Sequence, residues 1–387
     1  MTQAWFEEDL AELSHRQQLR HPRTLDAPDG IHGALDGAQV TVFCSNDYLG
    51  LRSNPELIAQ VTEACAAQHL GVGASRLVSG DHPAHALAER ALALWLRSES
   101  ALLFSSGYAL NASVIPALVS SDDVLFSDAL NHASIVDGAR LSRGRTVIYP
   151  HGDTLALAHA IERARPFRRG WIASESIFSM DGDLAPLATL RALADREGLG
   201  LYIDEAHALG VLGPQGRGAC ALAEIRPDVL VGTAGKALGS VGAFVTGSAL
   251  LRQLLWNRAR GLVFSTGVSP SSALALRAAV EFAADRPDLR ETLALRCAQL
   301  RWALALRDVP CGGDACAPIL SLVVGDESRA VQVSQALLAR GYFVSAIRPP
   351  TVPRGTSRLR ITLSAQHQPH ELDGLAHALA LSLRELP

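Results

Sequence analysis

The stretch Val229-Leu-Val-Gly-Thr-Ala-Gly-Lys-Ala-Leu-Gly239 joins a short apolar run to a turn of small residues that carries Lys236. The apolar run is typical of a buried strand, and the glycines after it let the backbone approach a ligand closely. A lysine that such a turn removes from water loses its proton more easily and becomes a nucleophile. The alternative is a lysine in contact with solvent, because lysines are rarely buried. The stretch is not a P-loop, because the first glycine of that motif would fall at Leu230 and Ala237 replaces its serine or threonine.

Similar short apolar runs occur on the N-terminal side of this stretch and directly after it. They are Ala101–Phe104, Asp123–Phe126, Val147–Tyr149, Trp171–Ala173, Leu201–Ile203, Asp228–Val231 and Ala243–Val245. Helical patterns separate most of them, and this alternation is typical of a mainly parallel sheet covered on both faces. Sheets of this kind bind ligands at the carboxyl ends of their strands. The residues directly after the strands are therefore the candidates for a functional site.

The pattern changes near residue 285. A helix at about 287–308 precedes three strands and a last helix with one apolar stripe; these strands are Ile319–Val324, Phe343–Ile347 and Leu359–Leu363, and the stripe is Leu372, Leu375, Leu379 and Leu386. At the other end, residues 4–20 form an amphipathic helical pattern. We therefore predict an N-terminal helix and arm (1–45), a large α/β domain (46–285) and a smaller C-terminal α/β domain (286–387).

Composition excludes several classes of function. The formal net charge is −4 and the pI is about 6.4, so the chain has no general attraction for nucleic acid or for an anionic membrane. No apolar run approaches the ~18 residues of a membrane span, and the acidic N-terminus is not a signal peptide. Cys311 and Cys316 form the one close cysteine pair, and no second pair follows to complete a zinc site. We predict a cytoplasmic protein that binds no metal, nucleic acid or membrane.

The segment Leu201-Tyr-Ile-Asp-Glu-Ala-His207 places an acid at a strand end and a histidine three residues later. Asp204 is suited to a protonated pyridine nitrogen, which keeps such a ring an electron sink, and the imidazole of His207 can bond a phenolic oxygen. The letters Asp-Glu-Ala-His also spell a helicase motif. That alternative lacks the P-loop and the basic surface that a helicase needs.

Three other strand ends carry polar residues. Ser105-Ser-Gly107-Tyr108 comes between a strand and a helix, where free amides bind phosphate well, although the turn could be a simple helix cap. His132 follows Ser127-Asp-Ala-Leu-Asn, and a lone histidine is more often an ordinary surface or core residue. Phe178-Ser-Met-Asp-Gly-Asp183 follows Trp171–Ala173, and its acids could be turn residues. No single strand end decides the function, but their order along the chain is informative.

In the order of its strand-end motifs along the chain, the sequence resembles the α-oxoamine synthases, a branch of the fold type I pyridoxal-phosphate (PLP) enzymes. The resemblance runs from about Leu19 to the C-terminus. Its segments are Ser45–Gly50, Gly71–Gly80, Ser106–Tyr108, Asn131–Ser134, Ser176–Asp183, Asp204–His207, Thr233–Lys236 and Ala346–Pro353. It implies an α/β fold of type I, with a large domain around a mainly parallel sheet and a smaller C-terminal α/β domain.

The resemblance also implies roles for individual residues. Lys236 would hold PLP as a Schiff base, Asp204 would pair with the ring nitrogen, His207 would contact the phenolic oxygen, and His132 would stack on the ring; these four form the implied catalytic set. The further cofactor-binding positions are Ser106, Gly107, Tyr108, Ser179, Thr233 and Thr266. Thr266 would reach the phosphate of the neighbouring subunit, which implies a homodimer with shared active sites. The implied substrate-binding residues are Arg20, Asn46, His132, Thr351 and Arg360.

The implied reaction condenses an amino acid with an acyl thioester and releases CO2 and a free thiol. The segment Ala346–Pro353 favours the branch that joins L-alanine to a pimeloyl thioester, carried by coenzyme A or a carrier protein. The alternatives are a glycine C-acetyltransferase or 5-aminolevulinate synthase-like enzyme, and an aminotransferase or lyase of the same fold. The sequence departs from the family at Ala234, Ala237 and Leu238 around the lysine and at Phe264, where a tyrosine is common.

Overall fold

The computed structural model describes residues 2–16 and 18–386. Contacts between Cα atoms divide the chain into two units. The larger consists of Asn46–Ser179 and Asp183–Glu291, and the smaller of Met1–Ser45, Met180–Gly182 and Thr292–Pro387. The division into three parts at residues 45/46 and 285/286 stays a prediction, since these units are defined by compactness alone.

Strands and helices alternate through most of the larger unit. In chain order, the strands of the protein are β1 (Leu25–Asp26), β2 (His32–Leu35), β3 (Ala38–Val42), β4 (Ser100–Phe104), β5 (Val124–Asp128), β6 (Arg145–Tyr149), β7 (Gly170–Glu175), β8 (Gly200–Asp204), β9 (Val229–Thr233), β10 (Ala243–Gly247), β11 (Ile319–Gly325), β12 (Tyr342–Phe343), β13 (Ser345–Ile347) and β14 (Ser357–Thr362). The helices are α1 (Thr2–His15), α2 (Pro55–Cys65), α3 (Pro83–Trp95), α4 (Gly107–Leu118), α5 (Ala133–Leu141), α6 (Thr154–Ala164), α7 (Leu187–Glu197), α8 (Ala219–Leu222), α9 (Ala249–Arg258), α10 (Arg260–Val263), α11 (Pro270–Ala284), α12 (Pro287–Ala305), α13 (Glu327–Ala339) and α14 (Pro369–Glu385).

The larger unit is built around one sheet with the strand order β4-β10-β9-β8-β7-β5-β6. The pairs β5–β6, β5–β7, β7–β8 and β8–β9 are parallel, whereas β10 runs antiparallel to both of its neighbours. All seven apolar runs predicted as strands in this region are strands in the structure. The only residues of these runs outside the strands are Asp123, directly before β5, and Asp228, directly before β9. The carboxyl ends of six strands, all but β10, therefore meet at one edge of the sheet, which we call the catalytic edge.

Apolar side chains between this sheet and helix α4 form the core of the larger unit. Leu102, Leu110, Val114 and Val231 belong to one buried cluster. Burying one such side chain contributes about 1.5–3 kcal/mol, so Leu110→Ala would cost roughly 2–5 kcal/mol including the cavity it leaves. The core thus fixes the strand ends from which the polar side chains project.

Two sheets form the smaller unit, with the strand orders β1-β2-β3-β12 and β11-β14-β13. The single strand predicted at Phe343–Ile347 is two strands, because β12 pairs in parallel with β3 and β13 pairs antiparallel with β14. The buried Val344 separates them. Pairing partners that lie far away in sequence decided this break, and an apolar run cannot reveal them.

The N-terminal helix is shorter than predicted. Helix α1 spans Thr2–His15 rather than 4–20, residue 17 of the predicted span lies outside the described residues, and all described side chains of α1 are exposed, Trp5 and Phe6 included. The amphipathic pattern therefore does not face a core within this chain. Among residues 2–16 and 18–386, no helix is both long enough and apolar enough to cross a bilayer.

Candidate active site

Polar side chains of the larger unit gather at the catalytic edge. Asp204 is the last residue of β8 and lies opposite Glu175, the last residue of β7. Lys236 follows β9, and His132 follows β5 as the residue before helix α5. The strands that carry these residues are parallel, so residues at or after their carboxyl ends lie at one edge of the sheet. The sequence predicted candidate residues at these strand ends.

The amine of Lys236 is the first member of a hydrogen-bonded chain, which we call the amine network. Lys236 Nζ lies 2.8 Å from His207 Nε2, and His207 Nδ1 lies 2.6 Å from the hydroxyl of Tyr48. The Tyr48 hydroxyl also lies 3.1 Å from Asn46 Oδ1. The rings of Tyr48 and His207 are buried, whereas Lys236 is half-buried. A partly desolvated amine next to an imidazole can exchange a proton with it.

Lys236 is the only lysine in the sequence; arginine supplies all 34 of the other basic residues in the total of 35. A guanidinium stays protonated and does not form a Schiff base, so it cannot replace a lysine in that role. The alternative of an ordinary solvated lysine does not explain why the one lysine of this chain bonds a buried histidine.

The carboxylate of Asp204 ends a second hydrogen-bonded set, the carboxylate network. Its Oδ2 accepts a hydrogen bond of 2.8 Å from Asn111 Nδ2, and its Oδ1 accepts one of 2.9 Å from the amide of Ala206. The hydroxyl of Tyr202 donates to Asn111 Oδ1 at 2.5 Å. These neutral donors hold the carboxylate of a buried aspartate in place, so the site favours a cationic partner beside it.

The carboxylate network continues to His132. Asn111 Nδ2 also lies 2.9 Å from Ser134 Oγ, which is 2.7 Å from His132 Nδ1. Burial lowers the pKa of His132, and the charge of Lys236 lowers it further while the charge of Asp204 opposes both. The imidazole is therefore neutral at neutral pH. His132 is nonetheless an exposed residue, as a ring that stacks on a planar ligand requires.

Glu175 lies beside Asp204 but differs in its surroundings. Its Oε2 accepts from the amide of Ser179 at 3.2 Å, and its Oε1 is buried with no hydrogen-bond partner among the described residues. Burial and the negative charge of Asp204 raise the pKa of Glu175 to about 8, although the charge of Lys236 works in the opposite direction. Glu175 is therefore mostly protonated near neutral pH.

The predicted phosphate region lies at the start of helix α4. Ser106 is the N-cap, and its Oγ accepts from the amide of Ala109 at 3.2 Å. A Cβ added at Gly107 would meet no heavy atom within 4 Å, so space for an anion remains in front of the helix. Tyr108 is half exposed and donates its hydroxyl proton to Asp137. Ser106 is thus both a simple cap and a possible ligand.

Three other predicted cofactor residues belong to the larger unit. Thr233 ends β9, and its Oγ1 donates to the carbonyl of Gly242 at 3.2 Å. Ser179 is buried next to Glu175. Thr266 is exposed and pairs with Ser75 in an isolated antiparallel bridge. This exposure leaves Thr266 accessible to a second subunit.

The predicted substrate residues are divided between the two units. Asn46 and His132 belong to the larger unit, and Arg20, Thr351 and Arg360 belong to the smaller one. Arg20 Nη2 lies 3.5 Å from Thr351 Oγ1, and Arg360 is buried on β14 opposite Ser321 and Ser345. The structure thus brings Arg20 and Thr351 together.

Tyr48, Asn111 and Glu175 were not predicted as site residues. Tyr48 and Glu175 lie in or next to quoted motifs, so a search for every polar residue in those motifs would have included them. Asn111 lies in the middle of helix α4, in the otherwise unremarkable run Ala109-Leu-Asn-Ala, and a helical asparagine that reaches Asp204 carries no local signal.

The residues present fit pyridoxal phosphate. The lysine can bond an aldehyde, the hydrogen-bonded carboxylate can pair with a protonated ring nitrogen, the neutral imidazole of His132 can stack, and the open helix start can bind phosphate. Within the part of the chain that the structure describes, no group of three or more His, Cys, Asp or Glu side chains could hold a metal ion.

Comparison with known proteins identifies relatives over nearly the whole chain. A family model described as aminotransferase class I and II matches residues 38–379. The chain is 46% identical over 385 residues to an 8-amino-7-oxononanoate synthase of Anaeromyxobacter dehalogenans, a match that covers 99% of this chain and 96% of that protein. A protein of the same name from Geobacter sulfurreducens is 44% identical over 383 residues, with 98% and 97% covered.

Solved structures share the fold. The serine palmitoyltransferase of S. paucimobilis with bound PLP-myriocin has a TM-score of 0.92 and 26% identity, covering 98% of this chain and 97% of that one. An 8-amino-7-oxononanoate synthase of Francisella tularensis has a TM-score of 0.77 and 24% identity, covering 89% and 98%. The predicted α/β fold of type I is therefore confirmed.

Proposed function

The chain belongs to the 8-amino-7-oxononanoate synthases, within the class I and II aminotransferase family, and we propose that it condenses L-alanine with a pimeloyl thioester in biotin biosynthesis. The chain is a PLP-dependent acyltransferase, as its resemblance to the α-oxoamine synthases implied. The proposed products are 8-amino-7-oxononanoate, CO2 and a free thiol. The observation that carries the proposal is the bond of the only lysine to His207 at the catalytic edge, in a chain 46% identical to enzymes of this name.

When bound, PLP supplies a protonated pyridine ring that takes up the electron pair left at the Cα of the amino acid. Asp204 would pair with the ring nitrogen and favour its protonated form, and Asn111 holds that carboxylate in place. Lys236 would hold the cofactor through Nζ, and the same nitrogen, when free, would accept the proton from the Cα of the amino acid. Acid–base assistance of this kind contributes about 10²–10⁴-fold.

The other residues bind and orient. His132 would stack on the ring and His207 would contact its phenolic oxygen. The residues that would hold the phosphate and the rest of the cofactor are Ser106, Gly107, Tyr108, Ser179 and Thr233. Arg360 binds the carboxylate of L-alanine, which decides the Cα bond that stands perpendicular to the ring, an effect of orientation. Arg20, Asn46 and Thr351 contact substrate. Arg360 is buried on β14, as suits an arginine that binds a carboxylate away from water.

We also propose a homodimer in which Thr266 of one subunit reaches the phosphate of the other. Apolar side chains stand exposed near the Ser75–Thr266 bridge: Val78 is 80% exposed and Phe264 is 72% exposed. A second copy would cover them, which favours association. The proposed location is the cytoplasm, where thiols stay reduced, and all six cysteines are free.

Product analysis tests the proposed reaction. Purified holoenzyme is given L-alanine or glycine, each with pimeloyl-CoA, acetyl-CoA or succinyl-CoA, and product mass, CO2 and free thiol are measured. We expect L-alanine with pimeloyl-CoA to give 8-amino-7-oxononanoate at the highest kcat/KM. A preference for glycine with acetyl-CoA would favour the alternative, a glycine C-acetyltransferase, and turnover without CO2 or thiol would indicate an aminotransferase.

A further inference from the structure

We propose that His85 is a positioning residue that fixes residues 266–268 so that Thr266 can reach the cofactor phosphate of a second subunit. His85 lies in the first turn of helix α3, which begins at Pro83. This inference rests on the proposed homodimer, in which Thr266 of one subunit acts on the active site of the other.

The imidazole of His85 is completely buried and is bonded on both sides. Its Nε2 lies 2.6 Å from the carbonyl oxygen of Val268; because a carbonyl can only accept, Nε2 carries a hydrogen and donates it. Its Nδ1 accepts from the amide of His82 at 3.1 Å, in the capping box that starts α3. Asp81 Oδ1 is farther from Nδ1, at 3.4 Å, and accepts from Arg76 Nε at 2.7 Å. One side chain therefore links the start of α3 to the carbonyl of Val268.

Residues 266–268 form part of the connection between helices α10 and α11. The amide of Gly267 donates to the carbonyl of Ala74 at 3.0 Å, and Thr266 pairs with Ser75 in the isolated bridge. The bond from His85 fixes the next residue, so successive residues of this short segment are held by different parts of the chain. The position of the exposed Thr266 side chain follows from the backbone that these bonds hold.

The loop that receives Gly267 is itself held by buried polar contacts. A Cβ added at Gly267 would lie 3.0 Å from the carbonyl oxygen of Gly80 and 3.1 Å from Arg76 Cγ, so the two backbones approach closely. Arg76 is buried, bonds Asp81 at 2.7 Å and also pairs with Glu89. A buried network whose polar groups are paired keeps its loop rigid. A displacement of Gly267 is therefore resisted by this loop as well as by His85.

A side chain that acts across a subunit interface depends on a fixed backbone. The hydroxyl of Thr266 can bond a phosphate oxygen only within about 3 Å. Ordering an exposed segment at the moment of binding costs conformational entropy, and a segment that is already ordered avoids this cost. Loss of the bond from His85 should therefore weaken the binding of PLP, and the effect should depend on Thr266.

The first experiment measures PLP affinity by adding the cofactor to the apoprotein and following the visible absorbance. Thr266→Ala should weaken binding about tenfold, because a hydrogen bond to a charged group is lost. His85→Phe keeps a planar ring but removes the donor, and it should weaken binding about three- to tenfold. The double variant should bind PLP no more weakly than Thr266→Ala, because His85 acts through Thr266. Effects that multiply, or a His85→Phe protein with wild-type affinity, would overturn the proposal.

The matched control is His367→Phe, at a second buried histidine with the same bonding pattern. His367 Nδ1 accepts from the amide of Ser364 at 2.9 Å, and its Nε2 lies 3.0 Å from the carbonyl oxygen of Val42. We expect His367→Phe to lower the free energy of unfolding about as much as His85→Phe but to leave PLP affinity unchanged. Equal losses of PLP affinity in the two variants would mean a general loss of stability and would overturn the proposal.

If His85→Phe does not fold, His85→Asn takes its place. The shorter side chain can still accept from the amide of His82 but does not reach the carbonyl of Val268. The same weakening of PLP binding, and the same dependence on Thr266, are expected. A His85→Asn protein with wild-type affinity would overturn the proposal equally.

Mixed dimers test in which subunit His85 acts. Lys236 is the only lysine, so a dimer with one Lys236→Ala subunit forms a single Schiff base, in the other subunit. His85→Phe in the Lys236→Ala subunit should weaken PLP binding as in the homodimer, because the affected Thr266 faces the subunit that keeps Lys236. His85→Phe in the subunit that keeps Lys236 should have no effect. The reverse pattern would show that His85 acts within its own subunit and would overturn the proposal.

The experiments distinguish a failure of this inference from a failure of the proposed function. A dimer in which Thr266→Ala leaves PLP affinity unchanged would contradict the shared active site, and with it the role of His85. A weakened Thr266→Ala protein in which the effect of His85→Phe multiplies that of Thr266→Ala would contradict the role of His85 alone.

Discussion

The amine network and the carboxylate network lie at the same edge of one sheet but are built differently. The amine network is a chain in which each group passes a hydrogen bond to the next, from Lys236 to Asn46. In the carboxylate network, Asn111 bonds three groups at once, with Asp204 among them. In a linear chain, all hydrogen bonds can reverse their direction when one hydrogen moves. In a branched set, bonds to several neighbours hold the central side chain in one orientation.

This difference corresponds to the two tasks of the site. Lys236 must gain and lose a proton in every turnover, so its neighbours should allow a change of protonation. Asp204 has to pair with a cationic ring as a carboxylate, so its neighbours should prevent a change of its protonation. Glu175 supplies the contrast: it lies at the same register as Asp204, but without comparable donors burial raises its pKa to about 8.

The largest effect is expected at the start of the amine network. Lys236→Ala should abolish the visible absorbance of the bound cofactor and reduce turnover below about one-thousandth, because both the attachment and the base are lost. Lys236→Arg is the matched variant, since it keeps the positive charge but cannot form the bond. Absorbance spectra and product formation measure the result. A coloured, active Lys236→Ala enzyme would contradict the assignment.

The next largest effect is expected at the end of the carboxylate network. Asp204→Asn should lower kcat by about 10²–10³-fold, because a buried charge that faces the ring nitrogen is lost and such charges are worth about 2–5 kcal/mol. Asp228→Asn is the control, since Asp228 lies half exposed just before β9 and binds Arg191. Steady-state kinetics compare the two. Equal activities would show that the carboxylate network does not act on the cofactor.

A smaller effect is expected at the centre of the carboxylate network. Asn111→Ala removes a donor to Asp204 and should lower kcat about tenfold, since one hydrogen bond to a charged group contributes about 1.5–3 kcal/mol. Ser134→Ala, which leaves that donor in place, should lower kcat less. A larger loss of kcat in Ser134→Ala than in Asn111→Ala would mean that Asn111 is not the residue that holds the Asp204 carboxylate in place.

The smallest effect on turnover is expected at Glu175, whose protonation should instead change the stability of the protein. The pKa of Glu175 is raised to about 8 from 4.5, so between these values the folded apoprotein binds a proton that the unfolded chain has released. Its stability therefore falls as pH rises through this window, by at most about 1.4 kcal/mol per pH unit.

Glu175→Gln removes this dependence. Urea unfolding of both apoproteins at pH 5 to 9 should give a stability difference, variant minus wild type, that grows up to about pH 8 and is constant above it. A difference that stays constant from pH 5 to 9 would mean that Glu175 is ionised in the folded protein, which would remove its contrast with Asp204.

The sequence predicted the amine network more fully than the carboxylate network. Lys236 and His207 of the amine network follow apolar runs, as Asp204 of the carboxylate network does, and parallel strands bring such positions to one edge regardless of their distance in sequence. Asn111 reaches Asp204 from the middle of a helix 93 residues away, a contact that depends on how α4 packs on the sheet. Local patterns contain no information about that packing.

The break between β12 and β13 was missed for a similar physical reason. Phe343–Ile347 has the composition of one strand, but its two ends pair with β3 and β14 in different sheets. Likewise, the apolar pattern of α1 predicted a buried face that the chain itself does not cover. Periodicity gave the type of these elements correctly, whereas their partners depend on tertiary structure.

Reduction of the holoenzyme with borohydride most directly tests whether the one lysine holds the cofactor. The reagent converts a Schiff base into a stable secondary amine, so digestion and mass spectrometry identify the residue that carries phosphopyridoxyl. We expect this mass on the peptide with Lys236, at close to one group per chain, and none in Lys236→Ala. Cofactor that binds without forming a reducible bond, or a label found at the N-terminus instead, would contradict the account.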